Sequence, residues 1–213
     1  MPRSEINFEY DKDNHLTVII GTERLDMCSV ATSDLDNYKH LLGKAENMVK
    51  YTYGKPYDAQ KTQECVDTWA KRWEQDNPFS SFVVSKNDTE EFIGTVVLGH
   101  TQRPGSSELA YIFDHKFWGQ GYGKESVVAI VKEYAPALVK KDYRILGNTF
   151  TSIEATTRPD NEASVKVLEA AGMRKISEHE KFGHNRYNFF VTLDELMQPQ
   201  ADVASKNLQF VAP

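Results

Sequence analysis

Three glycines alternate in the segment Trp118-Gly119-Gln120-Gly121-Tyr122-Gly123-Lys124-Glu125, and an amphipathic run follows. Without Cβ atoms at these positions, a ligand can approach the backbone closely. The first N–H groups of a helix have no partner inside it and point at whatever lies before them. The helix dipole favours negative charge there, and Lys124 adds a full positive one. Such a segment suits a phosphate or pyrophosphate, or else it is a flexible start to a helix. It is not GxxxxGK[ST], and GQGYG lacks the third glycine of the dinucleotide fingerprint GxGxxG. The six histidines, at 15, 40, 100, 115, 179 and 184, show no metal-ligand spacing, so no metal is expected.

Extended and helical runs must position that segment. Ile6 to Gly21 contains INFEY and LTVII around the turn-rich DKDNH, which predicts a hairpin. Thr22 to Val30 reads as a further strand, and Ser33 to Leu42 as a helix with Ser33 or Asp34 as its N-cap. Asp58 to Gln75 places Val66, Trp69 and Trp73 at helical spacing. SFVVS, FIGTVVLG and ELAYIF, separated by short polar loops, suggest an antiparallel meander. From Tyr122 the period becomes helical, and Pro136 should end or kink that helix. Phe150 to Thr157 reads as a strand and Asp160 to Ala171 as a short helix, with Gly172 where a left-handed cap is wanted. Met173–His179 and Tyr187–Leu193 are two final extended runs. The order predicts a mixed α/β (α+β) layer architecture. It divides into an N-terminal extension (1–21), a main domain (22–197) and a weakly periodic tail (198–213).

The 213 residues, 40% apolar and 26% charged, suffice for a sizeable core without disulfides. A net charge of −6 argues against nonspecific nucleic-acid binding, which needs a cationic surface. No apolar run approaches the roughly 18 residues of a membrane span. The first residues lack the apolar stretch of a secretory signal. Cys28 and Cys65 sit in no CxxC spacing, which fits a reducing compartment, so a cytoplasmic location is expected.

Four ordered segments carry a family resemblance: Thr22-Glu23-Arg24-Leu25, Glu108-Leu109-Ala110-Tyr111, the loop Trp118–Glu125, and Asn161–Ser164 running through Leu168-Glu169 to Gly172-Met173. Together they resemble the GNAT superfamily of N-acetyltransferases, in particular the branch that acetylates N-terminal amines of ribosomal proteins. The resemblance spans about residues 22–196. It implies a mostly antiparallel sheet of six to seven strands flanked by about four helices, with the N-terminal hairpin as an extension. It implies acetyl-coenzyme A as co-substrate, its pyrophosphate on the amides of Gly119, Gln120, Gly121, Tyr122, Gly123 and Lys124. The pantetheine arm would pair with the backbone of Ile112 and Phe113, and Asn161 would bond to it or cap the helix. Trp118 is usual in this branch, whereas Leu168 replaces a tyrosine acid found in many members.

Acetyl transfer from a thioester to an amine requires a base, an oxyanion site and an outlet for the thiolate. Glu108 is the candidate base, or else an exposed strand-edge acid. Ser164 matches a serine near the sulfur in this branch, or else it is a small helix-packing residue. Glu154 reads better as the partner of a surface cation, and His100 as the end of a strand. Trp69, Trp73, Tyr51, Tyr53 and Tyr57 line a substrate pocket or form plain core. The acceptor is expected to be a protein N-terminal amine or a small amine such as a polyamine or aminoglycoside. A non-catalytic acyl-coenzyme A sensor and a nucleotide site at the glycine loop are the other readings. The oligomer is expected to be a monomer or a homodimer.

Overall fold

The structure is a computed structural model that describes residues 4–198. Strands β1 (Glu5–Tyr10) and β2 (Leu16–Gly21) form the hairpin anticipated from the sequence. The Asp11 carboxylate fixes the turn by accepting the N–H groups of Asp13 at 2.9 Å and His15 at 2.8 Å. Leu16, Val18 and Ile20 alternate into the core. Strand β3 (Leu25–Ser29) pairs with β2, so the hairpin continues the main sheet.

A 3-10 turn at Thr32–Asp34 precedes helix α1 (Leu35–Leu42). The helix starts later than the sequence suggests because the Asp34 carboxylate turns back to accept the Ala31 N–H at 2.8 Å. Helix α2 (Ala45–Met48) is a single turn. Helix α3 (Ala59–Glu74) is capped by Asp58, whose carboxylate accepts the Lys61 N–H at 2.7 Å. The meander follows as β4 (Ser81–Lys86), β5 (Phe92–His100) and β6 (Ser106–Phe113).

Helix α4 (Tyr122–Ala129) runs through a π-helical turn (Ile130–Tyr134) into α5 (Ala135–Lys140). Pro136 therefore neither ends nor breaks the helical path. An i→i−5 bond from the Ala135 N–H to the Ile130 carbonyl widens the turn just before the proline ring. A two-residue ladder, β7 (Arg144–Ile145) with β8 (Asn148–Thr149), leads to β9 (Ser152–Thr157). Then come α6 (Glu162–Ala170), β10 (Arg174–Lys181), β11 (His184–Thr192) and α7 (Leu193–Met197). Gly172 takes φ 90° after α6, as a left-handed cap should. Beyond Gln198 the tail lies outside the described residues.

Nine of the eleven strands among the described residues form one sheet in the order β1-β2-β3-β4-β5-β6-β9-β11-β10. Seven of them follow residue 22, and two form the N-terminal hairpin. All ladders are antiparallel except β6 with β9. That parallel pair is short: Ser106, Ser107 and Glu108 oppose Ser152, Ile153 and Glu154, and pairing stops there. The sheet parts beyond Glu108. No helix of the described residues is long and apolar enough to cross a membrane.

Candidate active site

The parted strands open onto a cavity of about 830 Å³. Its walls are β6 from Glu108 to Phe113, Ala155–Thr157 of β9, the loop after β6, and the first turns of α6. Strand geometry sets which peptides face it. The Asp114 N–H donates to the Ile93 carbonyl, so at period two the Ile112 peptide also faces β5. The peptides of Tyr111 and Phe113 turn toward the gap instead. Of the two backbone positions anticipated from the sequence, Ile112 lines the cavity with its peptide engaged toward β5, and Phe113 presents its own to the opening.

At the far end the glycine loop is held from three sides. Gly119 and Gly121 adopt φ 75° and 85°, the left-handed region that glycine enters without strain. Gly123 packs beside the Phe113 ring, where a Cβ would sit at 3.5 Å, an ordinary contact distance. The Trp118 indole N–H donates to the Phe113 carbonyl at 2.8 Å, tying the loop to the strand end. Arg24 Nη1 donates to the Gln120 carbonyl at 3.0 Å, and its guanidinium lies 4.5 Å from the centre of the Tyr122 ring. Lys124 also lines the cavity. Free space beside Gly119, a cation at Lys124 and the start of α4 suit a pyrophosphate.

Asn161 caps α6, its side-chain oxygen accepting the Ser164 N–H at 3.3 Å, and it lines the cavity as well. Ser164 meets a partner that sequence reading passed over: its hydroxyl lies 2.8 Å from the Tyr111 hydroxyl. Burial pushes the Tyr111 phenol up, with the Ser164 bond opposing. Tyr111 is visible in the sequence only as the end of ELAY. Its odd offset from Glu108 puts the two side chains on opposite faces of β6.

Glu108 faces the other way. Its carboxylate accepts from Lys181 Nζ at 3.1 Å, with both side chains more than a third exposed. Half-buried Tyr51 and buried Arg186 lie near it and feel its charge. Burial pushes the Tyr51 phenol up, and the nearby Tyr57 and Glu108 push it in the same direction. Lys181 and Phe182 sit at the tip of the β10–β11 hairpin, where the Phe182 ring meets Tyr53 edge-on at 5.0 Å. These groups come together only through the register of the last two strands, which composition does not reveal.

The weaker candidates stay apart. Glu154 reaches toward Arg103 at 3.9 Å, and His100 ends β5 beside Asn77. Trp73 is core, 3% exposed, with its indole N–H donating to the Ser81 carbonyl. Trp69, Tyr51 and Tyr57 instead surround a small void of about 40 Å³ behind Ile112.

A family model for the acetyltransferase (GNAT) domain matches residues 24–174. The uncharacterized protein YkkB of Bacillus subtilis is 27% identical over 154 residues, covering 71% of this chain and 83% of that protein. The spermidine N-acetyltransferase of Vibrio cholerae, solved with coenzyme A and spermine, superimposes with a TM-score of 0.65 at 16% identity, covering 83% of this chain and 100% of that one. The ribosomal-protein alpha-N-acetyltransferase RimL, solved with coenzyme A, superimposes with a TM-score of 0.65 at 16% identity, covering 83% and 98%. At such identity the two solved structures speak for the fold.

Proposed function

The chain belongs to the GNAT acetyltransferase family, and on that premise we propose that it moves an acetyl group from acetyl-coenzyme A directly to a primary amine, with Glu108 as base. One observation carries the reading: β6 and β9 part beside a cavity that begins at Glu108 and ends at a glycine loop opening a helix. Acetyl-coenzyme A supplies the acetyl group activated as a thioester. The amides of the loop and Lys124 hold the pyrophosphate end, and the Tyr111 and Phe113 peptides take the amide-bearing arm as an added strand.

Transfer then needs little beyond placement and proton handling. A backbone N–H turned into the gap near Phe113 stabilises the developing oxyanion. Glu108 takes the proton that the ammonium must lose before its nitrogen attacks the thioester carbon. The C–N bond forms and the C–S bond breaks; the nitrogen gives up its second proton to solvent, and the departing sulfur receives one from the Ser164–Tyr111 hydroxyl pair, which solvent then restores. The protein N-terminus and the small amine both remain acceptors of the right chemistry.

The test is thermal unfolding with acetyl-coenzyme A or ATP, followed by release of free thiol on adding amines. Binding to the native state alone stabilises by about 2.7 kcal/mol at a hundredfold excess over Kd. A rise with acetyl-coenzyme A that ATP does not reproduce supports the reading. No rise at millimolar ligand sinks it.

A further inference from the structure

At the Glu108 end of the cavity sits a buried cation with no ion pair among the described residues. Arg186 on β11 is 5% exposed. Its Nε donates to the Thr156 hydroxyl at 3.0 Å and its Nη2 to the Thr156 carbonyl at 2.8 Å. Nη1 is buried and has no partner among the described residues. Burial pulls the guanidinium pKa down, Tyr51 and Glu108 push it up, and Arg158 pulls it down again. Neither acidic group is bonded to it, and the Glu108 carboxylate is already engaged by Lys181. Buried polar atoms left unpaired are rare, and a buried charge left unpaired is costly.

The sheet shows which end of the cavity that orphan belongs to. Glu108 lies opposite Glu154 in the parallel ladder, and Thr156 is two residues further, hence on the same face. Arg186 meets the Thr156 side chain on that face, beside Glu108 and Tyr51. Tyr111 and Ser164 occupy the opposite face. Arg186 therefore stands with the base and not with the pyrophosphate loop. Its ring neighbour is Phe182, 5.5 Å from the guanidinium carbon.

We propose that Arg186 anchors a carboxylate on the acceptor, so that the substrate is a small compound carrying its amine and a carboxylate a few atoms apart: an amino acid. This rests on the acetyl-transfer reading above. A planar, permanently charged fork matches a carboxylate in geometry and in charge, whereas a neutral carbonyl would satisfy the bond but leave the charge. A polyamine fits poorly. Lys181 and Arg186 sit at this end, Lys50 lines the same cavity with its ammonium on the Asp160 carbonyl, the Asp160 carboxylate is held by Arg158 at 2.9 Å, and Glu108 is held by Lys181.

The experiment compares L-amino acids with the amines that lack only the carboxylate: L-lysine with cadaverine, L-ornithine with putrescine, L-phenylalanine with phenethylamine, and so on through the common set. A tripeptide and spermine are run beside them. Each is read twice, by turnover with acetyl-coenzyme A and by thermal shift of the coenzyme A-loaded protein. At least one amino acid should exceed its amine by about 10- to 100-fold in kcat/KM, the worth of a hydrogen bond to a charged group. Arg186→Met should bring that ratio near one through KM. Arg186→Lys should restore part of it, and acetyl-coenzyme A should still stabilise both variants. Equal or better use of the amines, an unchanged ratio in Arg186→Met, preference for the tripeptide, or no response to any amino acid in either readout would each overturn the proposal. The acetyl-coenzyme A shift alone decides the reading beneath it.

Discussion

Arg24 and Glu125, 101 residues apart in sequence, meet through Nε at 2.7 Å and Nη2 at 2.6 Å on the one oxygen Oε2, which fastens the start of β3 to the first turn of α4. Glu125 also accepts the Thr22 hydroxyl at 2.7 Å and the Arg24 N–H at 2.8 Å. Its side chain is 15% exposed, so these four bonds are largely shielded. Because Arg24 also grips the Gln120 carbonyl, the shape of the loop depends on this one carboxylate.

Glu125→Gln should therefore act on the loop more than on the fold. Arg24 is 44% exposed, which discounts the pair, and a loss of about 1–2 kcal/mol in stability is expected from the remaining charged bonds. Affinity for acetyl-coenzyme A should fall about tenfold, measured by titration calorimetry, while turnover at saturation stays near that of the unaltered protein. A large fall in turnover with unchanged affinity would mean that the carboxylate does not shape the binding loop.

Two glycines in that loop separate strain from contact. Alanine at Gly119 meets nothing within 4 Å and suffers only the left-handed φ, whereas at Gly121 its Cβ also lies 3.3 Å from Arg24 Nη2. Gly119→Ala should cost about 1–2 kcal/mol of stability. Gly121→Ala should cost more and also weaken acetyl-coenzyme A binding through Arg24. Urea melts of the two variants decide this, and equal losses would show that Arg24 yields freely.

The four motifs and the order of elements along the chain were legible because period and glycine spacing are local properties. Thr22-Glu23-Arg24-Leu25 and Glu125 read as separate segments, yet they are two halves of one contact, which no local pattern shows. The anchors around Glu108 were illegible for the same reason. Arg186 reaches Thr156, and Lys181 reaches Glu108, only once β11 pairs with β9 and β10 with β11. Ile112 was placed on the cofactor because its position along the strand is right. Its peptide direction, fixed by which residue starts the β5 ladder, is a property of register.

The Tyr111–Ser164 pair supplies the outlet for the thiolate in the proposed chemistry. Tyr111→Phe and Ser164→Ala should each lower kcat by about 10²-fold, the lower range for proton transfer in the transition state. The double variant should be little worse than either, since groups acting as one unit are not additive. Single-turnover kinetics on the three variants test this. Fully additive losses would separate the two hydroxyls into independent roles.

Lys181 holds the carboxylate that the incoming ammonium needs in the proposed chemistry. Both partners are more than a third exposed, so the pair is worth at most about 1 kcal/mol. Lys181→Met should lower KM for the amine by up to about fivefold, and Glu108→Gln should lower kcat by about 10²-fold or more. Steady-state kinetics at fixed acetyl-coenzyme A measure both. A raised KM in Lys181→Met would instead make the ammonium part of the acceptor's seat.

Asp114 joins the end of β6 to α1 and the loop after it. Its carboxylate accepts the Lys116 N–H at 3.1 Å and pairs with Lys44 and His40 at 3.1 Å each. Burial alone would raise its pKa, but the Lys116 N–H and the Lys44 ammonium outweigh it and hold the carboxyl below its ordinary 3.8. A depressed folded pKa means that the stabilisation is complete above the unfolded value and is lost as pH falls through the folded one. Asp114→Asn should therefore cost about 2 kcal/mol at pH 7, less than a fully buried pair because His40 and Lys44 are partly in water. The deficit should begin to shrink below about pH 4, near the unfolded value, and be largely gone once the carboxyl is protonated in both states. Urea unfolding of the two proteins at pH 7, 5 and 3 reads the difference. A deficit that stays constant to pH 3 would assign the loss to hydrogen-bond geometry and not to charge.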